Sequence, residues 1–493
     1  MKKFIILIFA LCLLFVSCAG DNEDTQGTAA ENNNAETAEN PGTPAEEITD
    51  PRFAVKEDIP ELDFGGINFN ILYPTWSMYV DYYFAEEEIG DNMNDAIYLR
   101  TRNVEDRFNI TFDNIAPGYI YDIAPTVTRS VLAGSDDYHI ALTHCLAGVV
   151  ELSTGGYVLN WNRLPTVDFT KPWWNQRMND TMSVEGALLT AVSDYIIFDP
   201  NVIYFNKRLM QDYELGDIYE IVRSGEWTWD KLLEFARLVS EDLDGDGTFT
   251  AADQYGFVTH VGWMMESALQ AANIFIVNMG GGGYPAANLN TERFGRLMDT
   301  LYEVLFVGDQ TFLGNWDANN LDDVYESQVP MSSDRALFHI DPLSAGKRYR
   351  SYDVEFGILP FPKLDTAQEE YLSLSWNGFM MIPNTADDQL VGAVAEALAA
   401  ESHRLTVPAY YDVLLTSKVA RDEESTEMID IIYKGAVYDF GLNFANWETL
   451  SFSVSNILGT RRPPNWVSFV ERYEPRFNTR IEDVWDKITE NYS

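Results

Sequence analysis

Apolar and polar positions alternate over residues 67–72 (INFNIL), which predicts a strand, and Pro74, Thr75 and Trp76 end it. The spacing then changes. Over 95–108, Ile97, Val104 and Phe108 recur at helical intervals. A strand is expected at 110–115, a helix at 123–133, a turn at 134–137 and a strand at 138–142. Strand, helix, strand, helix, strand predicts parallel α/β layers with right-handed crossovers. Ligands of such open sheets sit outside the carboxyl ends of the strands. Trp76 and the loop after Leu142 are expected there.

Further along, 187–192 and 195–198 read as paired strands about a Ser193-Asp194 turn. Asp199, Pro200 and Asn201 break the run, and a strand resumes at 202–205. Helices are expected at 291–306, 387–401, 424–435 and 469–492, and strands at 336–340, 355–359 and 376–382. The glycine run 280–283 lacks the Gly-Lys-Ser/Thr ending of a phosphate loop and reads as a turn.

Residues 225–257 carry the sharpest local signal. Thr228 suits a helix N-cap, and Asp230 lies in the first turn, where the helix dipole favours an anion. Trp229, Leu232, Leu233, Ala236 and Val239 then form one apolar face. Beyond it, Asp242, Asp244 and Asp246 hold positions 1, 3 and 5 of a twelve-residue cation loop. Gly247 takes position 6, Thr248 offers its carbonyl at 7, Thr250 stands at 9, and Asp253 closes the loop at 12. Hard oxygen ligands at this spacing suit a structural Ca²⁺ ion. The alternative is a solvated acidic turn that binds nothing.

A TWxxL helix, an acidic DGDG turn and a YGF strand resemble a segment of extracellular solute-binding proteins of ABC importers, family 1, carbohydrate type. The resemblance extends to a YFNK segment at 204–207 and to two prolines, Pro360 and Pro362, after a strand. It implies a type II, two-lobed periplasmic-binding-protein-like α/β fold with several chain crossings at the hinge. The lobes expected from it are 55–198 with 335–402, and 199–334 with 403–493. It also implies capture of a solute, a mono- or oligosaccharide, for delivery to ABC permease subunits, without enzymatic activity and without an organic cofactor. A sugar sensor or adhesin that does not transport, and a surface glycan hydrolase, are the alternatives.

The N-terminus fits that reading. Lys2 and Lys3 precede an unbroken apolar run, 4–16, of signal-peptide length. Ser17-Cys18 then resembles a bacterial lipobox, with Phe15 where that motif usually has Leu. The expected order is a signal peptide over 1–17, a lipidated Cys18, and a tether to residue 54. The tether is acidic and free of Lys and Arg over 19–51, and such a composition cannot bury a core. The body would then be exported and held at the outer face of the bacterial cytoplasmic membrane. Cys145 is left without a partner, so no disulfide is expected.

The 493 residues carry a net charge of −44, which argues against nucleic acid and anionic membrane surfaces as charge-driven partners. The five histidines lack metal-ligand spacing, and no GxSxG nucleophile elbow occurs. Sugar recognition needs flat aromatic platforms with a few polar groups beside them. Trp76, Trp263, Trp376 with Asn377, and Trp447 are expected to supply them, since each stands beside a strand end or in a polar stretch. Asp137 is a candidate hydroxyl acceptor.

Overall fold

In a computed structural model that describes residues 51–76, 82–279, 284–314, 328–349, 351–415, 423–445 and 447–493, the INFNIL alternation forms the strand Ile67–Leu72. Cys18, the signal segment and the glycine run lie outside the described residues. Ile67–Leu72 pairs in parallel with Ile110–Ile115 on one side and Ile140–Thr143 on the other. Phe379–Met381 joins the edge antiparallel to Ile140–Thr143. Between the first two strands runs the helix Asn92–Phe108, whose N-cap Asp91 accepts the amides of Met93 and Asn94. Its buried face includes Ile97, Val104 and Phe108. Asn109 ends it with φ of 51°, a left-handed conformation that asparagine tolerates. The helix Ile123–Ala133 makes the second crossover.

The second sheet has the order Phe356–Leu359, Asn201–Asn206, Ala336–Pro342, Tyr255–Thr259, Thr311–Leu313. The last three are mutually parallel, and Asn201–Asn206 runs against its two neighbours. The helix Trp229–Val239 packs beneath this sheet, capped by Thr228. Trp227 and Trp229 are wholly buried there.

Three sequence expectations need correcting. Strands Ala336–Pro342 and Phe356–Leu359 were expected in the first lobe but belong to the second sheet. Ala336–Pro342 is a central strand with almost every residue buried, so its apolar run gives no clue to which sheet claims it. The passage back to the first sheet therefore falls between Leu359 and Phe379. The return expected near His403 also comes later. The helix Asp388–Glu401 continues without a break through 402–406 into Val407–Leu415, and all of this packs on Asn92–Phe108 of the first lobe. Arg404 pins that stretch through ion pairs to Glu57 and Glu401. Finally, 187–198 forms single bridges rather than a strand pair. Ala191 pairs with Met380, and Ile196 donates back to the Ser193 carbonyl in a tight turn.

The C-terminal helix, Trp466–Tyr492, touches both lobes. At its start Trp466 lies edge-on to Phe294 and against Gly295, where a side chain at that glycine would overlap the indole. Asn478 accepts the Ala287 amide at 2.8 Å, and Asp486 accepts the Tyr284 hydroxyl at 2.6 Å. At its end, on the first lobe, Asn491 donates to the Thr154 carbonyl at 3.0 Å and Arg163 donates to the Tyr492 carbonyl at 2.9 Å.

Candidate functional site

In both sheets the parallel strands lead into loops at their carboxyl edges, the place where open α/β sheets bind ligands. In the first sheet the carboxyl edge carries Trp76, residues 116–121 and residues 144–148; in the second it carries residues 260–262 and 343–345. The two edges meet at Trp376. Its carbonyl accepts the Cys145 thiol at 3.1 Å, and its indole N–H donates to Ser267 Oγ, also at 3.1 Å. Cys145 follows a strand of the first sheet, and Ser267 is on the helix Trp263–Ala271 that follows a strand of the second. Ser267 Oγ also accepts Asn201 Nδ2.

Asn377 completes this floor. Its Oδ1 accepts the amide of Asp199, where the chain first passes to the second sheet, at 2.9 Å. The Tyr438 hydroxyl donates to the Asn377 carbonyl. Asp199 itself accepts the amide and hydroxyl of Ser344 at 2.7 and 2.6 Å. Burial pushes its carboxyl up to about 6 despite those bonds. The floor is thus a hydrogen-bonded crossing of chain segments, and the Trp376 ring within it is only 7% exposed. The indole of Trp376 is thus engaged in packing and with Ser267.

Aromatic rings gather at the carboxyl edge of the first sheet. The half-buried Trp76 lies 5.2 Å from the His144 ring and 6.2 Å from Tyr119, and Tyr121 lies 6.0 Å beyond Tyr119. Tyr119 is 42% exposed and Tyr121 57%. The Thr75 amide donates to the Gly118 carbonyl, which extends strand pairing to the rim and holds Trp76 beside the tyrosine loop. Burial pushes the His144 imidazole down to about 4, so it is neutral at pH 7. Its Nδ1 accepts the Leu146 amide, which leaves Nε2 as the protonated nitrogen. His260, on the other edge, is likewise pushed by burial to about 4.

The remaining candidates fall as follows. Trp447 is exposed, with φ of 65°, and stacks on Phe452 at 5.2 Å. Trp263 opens its helix, but its side chain lies outside the described residues. Asp137 stands before Ile140, at the amino edge of the strand rather than the carboxyl edge. It accepts the Ser130 hydroxyl at 2.9 Å and so serves the turn, which removes it from the crevice. Tyr119, Tyr121 and His144 were missed. The signal for the tyrosines was PGYIYD directly after a strand, two aromatic rings in a turn with no apolar partner in sequence.

The acidic loop stands apart from the crevice. One oxygen each of Asp242, Asp244 and Asp246 gathers within 4.8 Å, a set that fits a hard cation. The loop is wound by its own carboxylates: Asp242 accepts the amides of Gly245 and Gly247 at 2.8 and 2.7 Å, and Asp246 that of Thr248 at 2.7 Å. Gly247 has φ of +82°, which explains the glycine at position 6. Asp253 does not join the three. Its oxygens accept the amides of Leu243 and Thr250, and Thr250 Oγ, so it ties the ends of the loop together.

No protein-family model matches the chain, and no curated protein matches it in sequence. Solved structures do match in shape. The cyclic α-maltosyl-1,6-maltose-binding protein of Arthrobacter globiformis aligns at a TM-score of 0.57 and 13% identity, over 85% of this chain and 100% of its own. A cyclo/maltodextrin-binding protein complexed with maltotetraose aligns at 0.54 and 12% identity, over 86% and 96%. An ABC transporter solute-binding protein of Thermotoga lettingae bound with α-D-tagatose aligns at 0.52 and 11% identity, over 84% and 100%. The chain therefore has the two-lobed α/β fold of the periplasmic-binding-protein type that these structures share.

Proposed function

We propose that this chain is an extracellular solute-binding protein that captures a mono- or oligosaccharide between its lobes and delivers it to the permease of an ABC transporter. The observation that carries the reading is the partly exposed ladder of Trp76, Tyr119 and Tyr121 at the carboxyl edge of the first sheet. Sugars present an apolar C–H face, and aromatic rings on a water-facing wall match it. The sugar-binding neighbours of the same fold support the same class of ligand. The hinge segments around Asp199 and Asn377 would flex as the lobes close. A thermal-shift screen against mono- and oligosaccharides tests this: a ligand at a hundred times its dissociation constant adds about 2.7 kcal/mol. If no sugar in a broad panel moves the melting point, the reading fails.

Export and anchoring belong to the same proposal. Cys18 would be lipidated, and two or more acyl chains would hold the protein at the membrane where one would not. Cys18→Ala is expected to leave unprocessed precursor without lipid label. Normal cleavage and membrane retention in that variant would refute it. Among the described residues, no helix is long and apolar enough to cross a membrane.

The loop 242–253 is proposed to hold one Ca²⁺ ion through Asp242, Asp244 and Asp246, with the Thr248 carbonyl and Thr250 as further ligands by loop position. Its charge would neutralise three carboxylates that otherwise repel at close range. Chelation should lower the melting temperature, and Asp244→Ala should remove most of that sensitivity. Identical melting curves with and without chelator would reject the ion.

A further inference from the structure

Arg100 is a buried cation in an acidic protein, and it is not paired with an acid. It sits on the inner face of the helix Asn92–Phe108 and is 1% exposed. Its Nη2 donates to the Tyr83 carbonyl at 2.8 Å, and its guanidinium carbon lies 4.7 Å from the centre of the Tyr195 ring. Nε and Nη1 have no hydrogen-bond partner, and among the described residues no carboxylate forms an ion pair with it. A buried arginine ordinarily has such a partner, because an isolated charge in a low dielectric is strongly disfavoured and the guanidinium does not give up its proton. The other strongly buried arginine, Arg404, shows the usual arrangement, with Glu57 and Glu401 on its nitrogens.

Arg100 borders a cavity of about 10 Å³, lined also by Ile71, Tyr83, Thr101, Phe112, Asn114 and Tyr195. That is room for one species the size of a water molecule. Among the described residues, the lining holds no acid. The Thr101 hydroxyl is already given to the Ile97 carbonyl, while Asn114 adds an amide to the lining. The idle Nε and Nη1 of Arg100, with no acid among the described lining residues, make this a donor-rich site.

We propose that the Arg100 cavity, in the first lobe, is a binding site for a single small monovalent anion, chloride in ordinary media. The anion would accept charge-assisted hydrogen bonds from Nε and Nη1 and neutralise the guanidinium where no side chain does. The cavity is too small for the carboxylate of an organic solute, so the site is separate from the crevice and from solute capture.

The test compares melting of the purified chain in sodium chloride and sodium gluconate at equal ionic strength, with bromide-soaked crystals as a second measurement. The expected result is a midpoint several degrees higher in chloride, rising to saturation with its concentration. Arg100→Met, which keeps much of the volume without the charge, should lose the difference. Crystals grown in bromide should show an anomalous peak beside Nε and Nη1. Equal midpoints in the two salts, or an undiminished difference in Arg100→Met, would overturn the proposal. If that variant does not fold, the crystal decides alone: a bromide peak at Arg100 supports the site, and its absence overturns it.

Discussion

Trp76→Ala and Tyr119→Ala should each weaken binding of the cognate sugar by at least tenfold, about 1.4 kcal/mol, with the fold intact. Both rings lie at the carboxyl edge of the first sheet and are partly open to water, so a sugar face can stack on them without displacing protein. Removing a half-exposed ring leaves little cavity in the core. Trp376→Ala should behave differently. Its ring is enclosed and its N–H is given to Ser267, so truncation opens a void and takes a hydrogen-bond donor away from Ser267 Oγ at the floor. A loss of roughly 3–5 kcal/mol of stability is expected, visible in denaturant midpoints before any ligand is added. Asp137→Ala, at the far edge, should leave affinity unchanged. Titration calorimetry with each variant checks the set. Wild-type affinity in both Trp76→Ala and Tyr119→Ala would place the ligand elsewhere.

The protein should grow more stable as the pH falls from about 8 toward 5. Two buried glutamates drive this. Burial pushes Glu266 from 4.5 up to about 7, against the amides of Val454 and Ser455 and the Ser455 hydroxyl that it accepts. Burial pushes Glu396 up to about 7 as well, although the indole N–H groups of Trp173 and Trp174 donate to it. The sign follows from proton counts. Between 4.5, the unfolded value, and about 7, the native state holds these protons and the unfolded chain does not, so stability declines as pH rises through that window. Each group contributes on the order of 3 kcal/mol, since every tenfold change in proton affinity between the two states is worth about 1.4 kcal/mol. Asp199, pushed by burial to about 6, acts in the same direction.

Glu57 sets the lower limit. Burial opposes its charge, but the Arg404 and Arg107 guanidinium groups hold it down at about 2. Its contribution is therefore present above 4.5 and lost as pH falls toward 2. Self-repulsion in a chain of net charge −44 also eases on acidification, but salt screens that effect and leaves the buried carboxyls alone. Melting temperature measured against pH in half-molar salt separates them. A flat profile between pH 5 and 8 in that salt would contradict the buried-glutamate account, and Glu266→Gln or Glu396→Gln should each reduce the slope.

Much of the fold was legible because local chemistry repeats at the right period. INFNIL could form only a half-buried strand, and Thr228 with the Trp229–Val239 face could form only a capped helix. Sheet membership was not legible. ALFHI is buried on both faces and would suit the centre of either sheet, so its place depends on register with Asn201–Asn206 and Tyr255–Thr259. The helical continuation past Glu401 was hidden for a related reason. Ser402, Arg404 and Thr406 are polar, but all three are buried by tertiary partners that sequence does not display. At the site, Trp76 stood out because a strand end put it on the rim. Trp376 looked equivalent, and only the position of Ser267, more than a hundred residues away in sequence, turns it inward.

The helix Trp466–Tyr492 bears on how the lobes can move. Its 27 residues make a rod of about 40 Å, fastened to the second lobe by Trp466, Asn478 and Asp486 and to the first by Asn491 and Tyr492. A helix bends far more readily than it stretches. The separation of its two anchorages is therefore a fixed length, and any rigid rotation of one lobe against the other must preserve it. Rotations about an axis alongside the rod do so; sliding and wide splaying do not. Pro475, which supplies no amide to the helix, lies between Trp466 and Asn478, so any bend there stays within the part of the rod held by the second lobe. The helix acts as a strut in parallel with the hinge strands, and its fixed length takes away one of the ways in which the two lobes can move against each other.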